Sequence, residues 1–357
     1  MLFRSSNSEL GTPSTSIAAL RELEGDIPRV LIELSSIDQM LETFITKLPT
    51  YIQEDGRIHA SINQAGNWED SGKDGEAPET RRFALSGPNL NQITHHGDEG
   101  RPYVAAWGQQ LRRCFVPREG WVWVKFDFSK VEPRLAAMIS NDPVYLHDTS
   151  EGDMYKEAAA IAFGVPVLAI NHEQRQVGKK MHMAWMNRAR AQGIQKSAHW
   201  MSDRQALRFC LAMDDRYSVF TQWHKDLIAQ ARRDGFVRTW FGAKCLLPTI
   251  WSSNDRQRAA AEREVVPLVV SGTAAGVLKL ALQRLFLYLE DKQAKALFPI
   301  HDEVALECPP EELEALLEVC YYITKDIVSV VLPVEVSFGS SWADQIPWEP
   351  GRRIAWK

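Results

Sequence analysis

Two aspartates, Asp127 and Asp302, stand where carboxylates could bind a hard cation. Asp127 follows Trp121 to Phe126, whose alternating apolar residues are typical of a half-buried strand. Asp302 belongs to His301-Asp302-Glu303, which we expect to form the bend of a hairpin from Leu297 to Cys308. The two carboxylates could therefore converge across one sheet. A single aspartate at a strand end is more often a turn or cap residue, so the surrounding sequence must decide between the two roles.

Positive charge is concentrated in the middle of the chain. The formal net charge of the whole chain is -5, which by itself does not suggest a nucleic-acid partner. Between Arg175 and Arg263, however, 17 Lys or Arg residues stand against 7 Asp or Glu residues. This asymmetry indicates a polyanionic partner for the segment. A solvated helical surface is, on charge alone, an equally good interpretation.

The elements that must position these residues begin with an irregular lead-in over residues 1–20. Arg29–Leu34 then predicts a short strand, and Ser36 is expected to cap a helix with apolar residues from Ile37 to Ile45. Arg57–Asn63 alternates like a further strand. The Gly, Pro and acidic residues of Trp68–Thr80 predict a mobile surface loop.

Beyond Asp127 the pattern is mainly helical to about residue 245. Asn171 is expected to cap one of these helices together with Gln174. A helix from about Glu311 precedes a final strand, Pro333–Phe338. Strands at both ends with a helical insertion between them predict an α+β protein.

Composition limits the kind of protein. At 357 residues with 45% hydrophobic content, the chain is long enough for two or three packed units. The five cysteines show no C-x-x-C pair, so they indicate neither a disulfide framework nor a zinc site. No run is expected to reach the roughly 20 apolar residues that a membrane helix needs, and no targeting segment is evident at the start. We therefore expect a soluble, untargeted, cytoplasmic protein.

Three segments resemble the signatures of family A DNA polymerases, the group that includes bacterial DNA polymerase I. Asp127-Phe-Ser-Lys-Val-Glu-Pro-Arg134 is similar to the first signature, and Ile300-His-Asp-Glu-Val304 to the third. Glu173-Gln-Arg-Gln-Val-Gly-Lys179 resembles the start of the second, a helix that grips the incoming triphosphate. Shorter matches continue in family order over nearly the whole chain from about residue 12.

The resemblance implies a right-hand polymerase fold. Its palm would carry the antiparallel β-sheet and comprise residues 56–133 and 263–357. The helical fingers insertion would span residues 134–262, and a reduced thumb residues 1–55. The resemblance also implies primer extension by two-metal nucleotidyl transfer.

The catalytic assignments likewise follow from the resemblance. Asp127, Asp302 and the carbonyl of Phe128 would hold two Mg²⁺ ions, which Mn²⁺ could replace. Lys179 would protonate the departing pyrophosphate. Glu303 is given an auxiliary role, with a solvated turn residue as the alternative.

Contacts to the substrates are implied in the same way. Arg175, Lys179 and Met183 are four residues apart on one helix face and would meet the nucleotide. Glu132 would act as a steric gate against a ribose 2'-hydroxyl, and Tyr155 could donate a hydrogen bond near the triphosphate. The residues expected to contact DNA are Arg82, Asn89, Asn187, Arg263, Ser271 and His301.

Several positions depart from the family pattern. Met183 replaces an aromatic residue, and Asn187 replaces a tyrosine that occupies the template position between additions. Pro267 and Ser271 replace an asparagine and a glutamine that contact the minor groove, and Tyr155 replaces a histidine. Because these residues help to check base-pair shape, we expect altered fidelity or lesion tolerance, as in translesion synthesis.

The expected setting is replication or repair of DNA in a bacterial or phage-infected cell, in association with the nucleoid. Primer-template DNA and dNTPs are the predicted partners. With no room seen for an exonuclease domain and little for a thumb, neither proofreading nor high processivity is expected unless a separate exonuclease or processivity protein assists. The alternative is a weakly active or inactive primer-template-binding subunit of a split polymerase.

Overall fold

A five-stranded antiparallel sheet lies at the centre of a computed structural model of the chain, which describes residues 20, 23, 25–64, 80–93, 102–352 and 354. Its strands are β3 (Val122–Phe128), β6 (Lys295–Ile300), β7 (Glu303–Cys308), β8 (Val334–Gly339) and β9 (Gln345–Trp348). Their spatial order is β6-β7-β3-β8-β9. Two small ribbons pair β1 (Ser61–Asn63) with β2 (Ala84–Ser86), and β4 (Phe236–Arg238) with β5 (Lys244–Leu246).

The central sheet is covered on both faces. Alternate residues of β3, Val122, Val124 and Phe126, enter the larger hydrophobic core. On the opposite face, Trp123 joins a second core with Trp342. Asp127 points to this second face, because side chains alternate along a strand. The predicted β3 strand is thus confirmed, with Asp127 inside it rather than after its end.

Eleven α-helices can be described. They are α1 (Asp26–Met40), α2 (Pro102–Arg113), α3 (Val131–Ser140), α4 (Pro143–Ser150), α5 (Met154–Phe163), α6 (His172–Met186), α7 (Ala191–Gln195), α8 (Asp203–Arg216), α9 (Ser218–Asp234), α10 (Asp255–Leu289) and α11 (Leu313–Tyr321). Beyond β3 the chain is mainly helical, as predicted, but this helical stretch ends at Asp234 and not near residue 245, because the β4–β5 ribbon follows it. Asn171 and Gln174 form the predicted capping box at the start of α6.

Helices α5 and α6 pack closely because of one glycine. A Cβ atom on Gly178 would lie 2.2 Å from the carbonyl oxygen of Tyr155 and 2.8 Å from the Cβ of Ala159. No side chain larger than hydrogen fits there without a shift of the backbone. The contact holds the basic face of α6 beside Tyr155.

Helix α10 corrects the expectation that no apolar run reaches membrane length. By length and composition it could cross a membrane, but 78% of its apolar window is buried inside the protein. Such burial identifies the core helix of a folded domain. Pro267 lies inside this helix without ending it.

The strand predicted at Arg29–Leu34 is wrong, because these residues belong to α1. Ile32, Ser36 and Met40 are buried at four-residue spacing, and this helical period determines the structure. Ser36 is not a cap either. It lies within α1 and its Oγ donates to the carbonyl of Ile32 at 2.8 Å.

Other boundaries differ by a few residues. Only Ser61–Asn63 of the predicted strand Arg57–Asn63 forms one, with an isolated bridge between Ile52 and Ile58. The predicted hairpin is confirmed, but Glu303 begins β7 instead of lying in the bend. The strand predicted at Pro333–Phe338 is β8, and β9 follows it, so it is not the final strand. The loop predicted at Trp68–Thr80 lies outside the described residues except for Thr80.

Candidate active site

One cleft of about 680 Å³ collects most of the predicted site residues. Its lining comes from β3 and the start of α3, from α5 and α6, from α10, and from the β6–β7 hairpin. The predicted residues in this lining are Arg82, Asp127, Phe128, Glu132, Tyr155, Arg175, Lys179, Met183, His301, Asp302 and Glu303. Segments far apart in the sequence therefore meet at one surface.

Asp127 and Asp302 carry unfavourable negative charge in this cleft. Burial, followed by the charges of Asp302 and Glu303, raises the pKa of Asp127 to about 7. Burial also raises the pKa of Asp302. The Oδ1 atom of Asp127 is buried and has no hydrogen-bond partner among the residues that the structure describes. A buried oxygen without a donor beside a second carboxylate is an arrangement that a divalent cation would stabilise.

No group of three or more His, Cys, Asp or Glu side chains in the described parts of the chain is arranged to hold a metal ion. Two carboxylates nevertheless suit Mg²⁺, which keeps several waters and takes further oxygens from substrate phosphates. The donor set therefore fits ions that arrive with a phosphorylated substrate.

Glu303 is buried and firmly held. Its Oε1 accepts a hydrogen bond from Trp342 Nε1 at 2.6 Å, and its Oε2 pairs with Lys125 Nζ at 2.8 Å. In the sheet it is the direct partner of Asp127, so both side chains lie on the same face. The alternative of a solvated turn residue is therefore wrong, and the auxiliary role stays a prediction.

Three cations lie around the ring of Tyr155 in the same cleft. Arg175 Cζ lies 5.4 Å, Lys130 Nζ 5.6 Å and Lys179 Nζ 5.9 Å from the ring centroid. All of them line the cleft. Lys130 was not among the predicted site residues, although it lies only three residues after Asp127 in the first signature.

The three cations differ in their partners. Arg175 Nε donates to Asp153 Oδ2 at 2.7 Å. Asp153 also caps α5, since its Oδ1 accepts from the backbone N–H groups of Tyr155 and Lys156. Burial lowers the pKa of Lys130, an effect opposed by the charge of Asp153. Burial raises the pKa of Tyr155 to about 12, so its hydroxyl remains a donor at neutral pH.

Glu132 binds two residues that were predicted to contact DNA. Its Oε1 accepts hydrogen bonds from Ser271 Oγ, at 2.6 Å, and from Arg82 Nη2. The proposed roles of Arg82 and Ser271 at DNA stay predictions, but in this structure both donors are directed at the Glu132 carboxylate. Sequence spacing could not show this contact, because Ser271 is 139 residues from Glu132.

Four predicted DNA contacts lie outside the cleft lining, and Ser271, described above, is one of them. Asn89 is exposed and its side chain accepts from the backbone of Asn91. Asn187 ends α6, and Arg263 is exposed on α10. Met183 lines the cleft and packs against the larger core.

A family model described as DNA polymerase family A matches residues 2–344. The chain belongs to this family. Among curated family A relatives, it is 31% identical over 344 residues to "DNA polymerase I, thermostable" of Thermus aquaticus. It is 29% identical over 349 residues to DNA polymerase I of Pseudomonas aeruginosa.

These alignments cover 93% and 94% of this chain but 38% and 36% of the two relatives. The chain thus spans little more than a third of the length of these family A polymerases. Among solved structures, the POL domain of Pol1 from M. smegmatis, in complex with DNA primer-template and dNTP, matches with a TM-score of 0.81 and 26% identity. The match covers 96% of this chain and 58% of that one, and it confirms the predicted α+β polymerase fold.

Proposed function

We propose that this family A chain is a DNA-directed DNA polymerase that extends a primer with dNTPs. The observation that carries the proposal is a cleft that Asp127 and Asp302 line together with a group of cations. Nucleotidyl transfer needs both parts, because a divalent-cation site must lie beside a site for the triphosphate.

Asp127 and Asp302 are the residues that would hold Mg²⁺, with the carbonyl of Phe128 as a further ligand. When bound, Mg²⁺ supplies Lewis-acid activation of the primer 3'-hydroxyl and stabilises charge on the phosphate. Glu303, held by Lys125 and Trp342, adds a fixed negative charge next to Asp127.

Lys130, Arg175 and Lys179 bind and orient the triphosphate in this proposal. Lys179 additionally donates a proton to the departing pyrophosphate, and Tyr155 donates a hydrogen bond to a phosphate oxygen. Glu132 closes the pocket beneath the sugar and excludes a 2'-hydroxyl. Each of these side chains lines the cleft.

Altered fidelity or lesion tolerance forms a second part of the proposal. It is supported by Met183, Asn187 and Ser271, which stand where the family resemblance implies an aromatic residue, a tyrosine and a glutamine. Misincorporation and abasic-site bypass should be compared with those of an ordinary family A enzyme. Indistinguishable results in both assays would remove this part.

Primer extension by an Asp302→Ala variant tests the proposal. We expect extension to fall by about a thousandfold or more, because one of two carboxylates for the cations is lost. Asp291→Ala is the control, since Asp291 is exposed and, among the described residues, pairs only with the neighbouring Lys292. Primer-template binding by the unmodified chain without extension in Mg²⁺ or Mn²⁺ would instead support the inactive binding subunit.

A further inference from the structure

We propose that Ser271 is a positioning residue for Glu132 and thereby sets the selection of deoxyribonucleotides over ribonucleotides. This inference rests on the function proposed above, in which Glu132 closes the pocket beneath the sugar. It assigns to Ser271 a role within the protein instead of a contact with the minor groove.

The contact is short and well shielded from water. Ser271 Oγ donates to Glu132 Oε1 at 2.6 Å. Ser271 is 7% exposed, and the side chain of Glu132 is 15% exposed. A hydrogen bond to an ionised acceptor in such surroundings is among the stronger kinds in proteins.

The backbone that carries Ser271 is firmly placed. Val270 and Thr273 beside it are almost completely buried within α10. A Cβ atom on Gly272 would lie 2.7 Å from Cγ2 of Thr239, so the helix is packed closely against the β4–β5 ribbon at this point. Thr273 Oγ1 also accepts from the backbone N–H of Trp240 at 3.0 Å. Ser271 therefore acts from a rigid support.

Glu132 reaches the site through a flexible side chain. It lies in the first turn of α3, two residues after Lys130. A glutamate has several rotatable bonds, so its carboxylate needs outside contacts to stay in one place. Ser271 and Arg82 supply these contacts from two sides.

The two donors are not equivalent. The Arg82 side chain is long and 41% exposed, so it is free to turn towards DNA. The serine hydroxyl is short and buried, and it cannot reach far from the carboxylate. We therefore assign to Ser271 the contact that holds the Glu132 carboxylate even when Arg82 turns towards DNA. Without it, Glu132 would adopt further rotamers, some of which leave room for a 2'-hydroxyl.

Ser271→Ala tests the inference, with Ser140→Ala as the matched control. Ser140 is also 7% exposed, and within the described chain its Oγ donates only to backbone carbonyls of α3, at Ala136 and Ala137. The measurement is kcat/KM for one dNTP and the matching rNTP on the same primer-template. We expect the dNTP-to-rNTP ratio to fall about threefold to tenfold in Ser271→Ala through faster rNTP addition, with dNTP addition nearly retained. Ser140→Ala should keep the ratio of the unmodified chain.

A double variant separates positioning from DNA contact. In a Glu132→Ala background, Ser271→Ala should cause no further loss of selectivity, since the group it positions is gone. Equal losses in both backgrounds, or an unchanged ratio with weaker primer-template binding, would overturn the inference and restore the minor-groove role. Absence of dNTP extension by the unmodified chain would overturn the proposed function itself, and this inference with it.

Discussion

Arg175 and Lys130 line the same cleft, but only Arg175 forms a hydrogen-bonded ion pair with a carboxylate among the described residues. Arg175 is bound to Asp153, so part of its positive charge is already neutralised. In the described part of the chain, Lys130 makes no ion pair shorter than 4 Å, and its surroundings lower its pKa. A cation with a weaker counter-charge gains more when a phosphate arrives. Lys130 was not among the predicted site residues. We nevertheless expect it to contribute to nucleotide binding.

Lys130→Gln should raise KM for dNTP about threefold to tenfold and change kcat much less. The lost attraction acts on the bound nucleotide before and during transfer, and uniform binding energy is measured mainly in KM. Single-nucleotide primer extension over a range of dNTP concentrations gives both constants. Lys180→Gln is the control, because Lys180 is an exposed lysine on α6 outside the cleft lining. An equal increase in both variants would point to a general charge effect.

Chemistry-bearing residues could be predicted when neighbouring residues in the sequence formed a recognisable signature. Asp127 and Asp302 were found in this way, and the structure places both in the cleft. Glu303 was assigned to a bend because its local sequence could not show that it pairs with Asp127 in the sheet. The same is true of Ser271, whose partner lies on another helix. Contacts between distant segments depend on tertiary packing, which single-segment patterns do not contain.

At the scale of elements, the packing of α5 against α6 determines where the basic face of α6 lies. Gly178 allows the approach, and the Asp153–Arg175 pair joins the start of α5 to the first turns of α6. The capping box that starts α6 could be predicted, since its residues are only three apart. The close approach could not, because it depends on Tyr155 and Ala159 in another helix.

Gly178→Ala should destabilise the protein by about 2 kcal/mol or more and raise KM for dNTP. On helix propensity alone, alanine would stabilise α6 by up to about 1 kcal/mol. We expect the free energy of unfolding to fall instead, because the added methyl group would overlap the backbone of α5. Such overpacking typically costs about 1–3 kcal/mol. Urea denaturation measures the free energy of unfolding.

Lys180→Ala provides the comparison for that change, since it places alanine at an exposed position of the same helix. It should leave stability within about 0.5 kcal/mol. If Gly178→Ala were as stable as Lys180→Ala, the close contact between α5 and α6 would not be tight in solution.

The strand predicted at Arg29–Leu34 is part of α1, and the reason for this error is physical. A six-residue, mostly apolar segment such as Arg29–Leu34 suits a strand or a helix equally well. The four-residue spacing of the buried residues Ile32, Ser36 and Met40 distinguishes a helix from a strand. One of these buried residues is a serine. Because the pattern depended on a buried polar residue, a count of apolar residues alone missed it.

At the scale of the whole molecule, the ionised carboxylates of the cleft oppose folding when no cation is bound. The pKa of Asp127 rises from 3.8 to about 7 on folding. A raised pKa means that the group favours the folded state fully below pH 3.8, and that this contribution is lost as pH rises through about 7. The difference corresponds to at most about 4 kcal/mol.

Asp127→Asn should therefore stabilise the protein at pH 8 in the presence of EDTA and have a much smaller effect at pH 4. Mg²⁺ should raise Tm of the unmodified chain more at pH 8 than at pH 5, because protons compete with the cation at the lower pH. Thermal denaturation at each pH, with and without Mg²⁺, measures both effects. Asp291→Asn is the control. A pH dependence identical in the control and in Asp127→Asn would contradict the raised pKa.

Strand β3 lies between β7 and β8, and both of these neighbours come from the last fifth of the sequence. Lys125 on β3 and its partner Glu303 are 178 residues apart. During translation at about 5–20 residues per second, β3 would wait roughly 10–35 seconds with both edges unpaired. An apolar strand with free edges is prone to wrong pairing. The ribosome-bound chain therefore has a long interval in which a chaperone could improve the yield of folded protein, and no nascent chain shorter than 302 residues contains both Asp127 and Asp302.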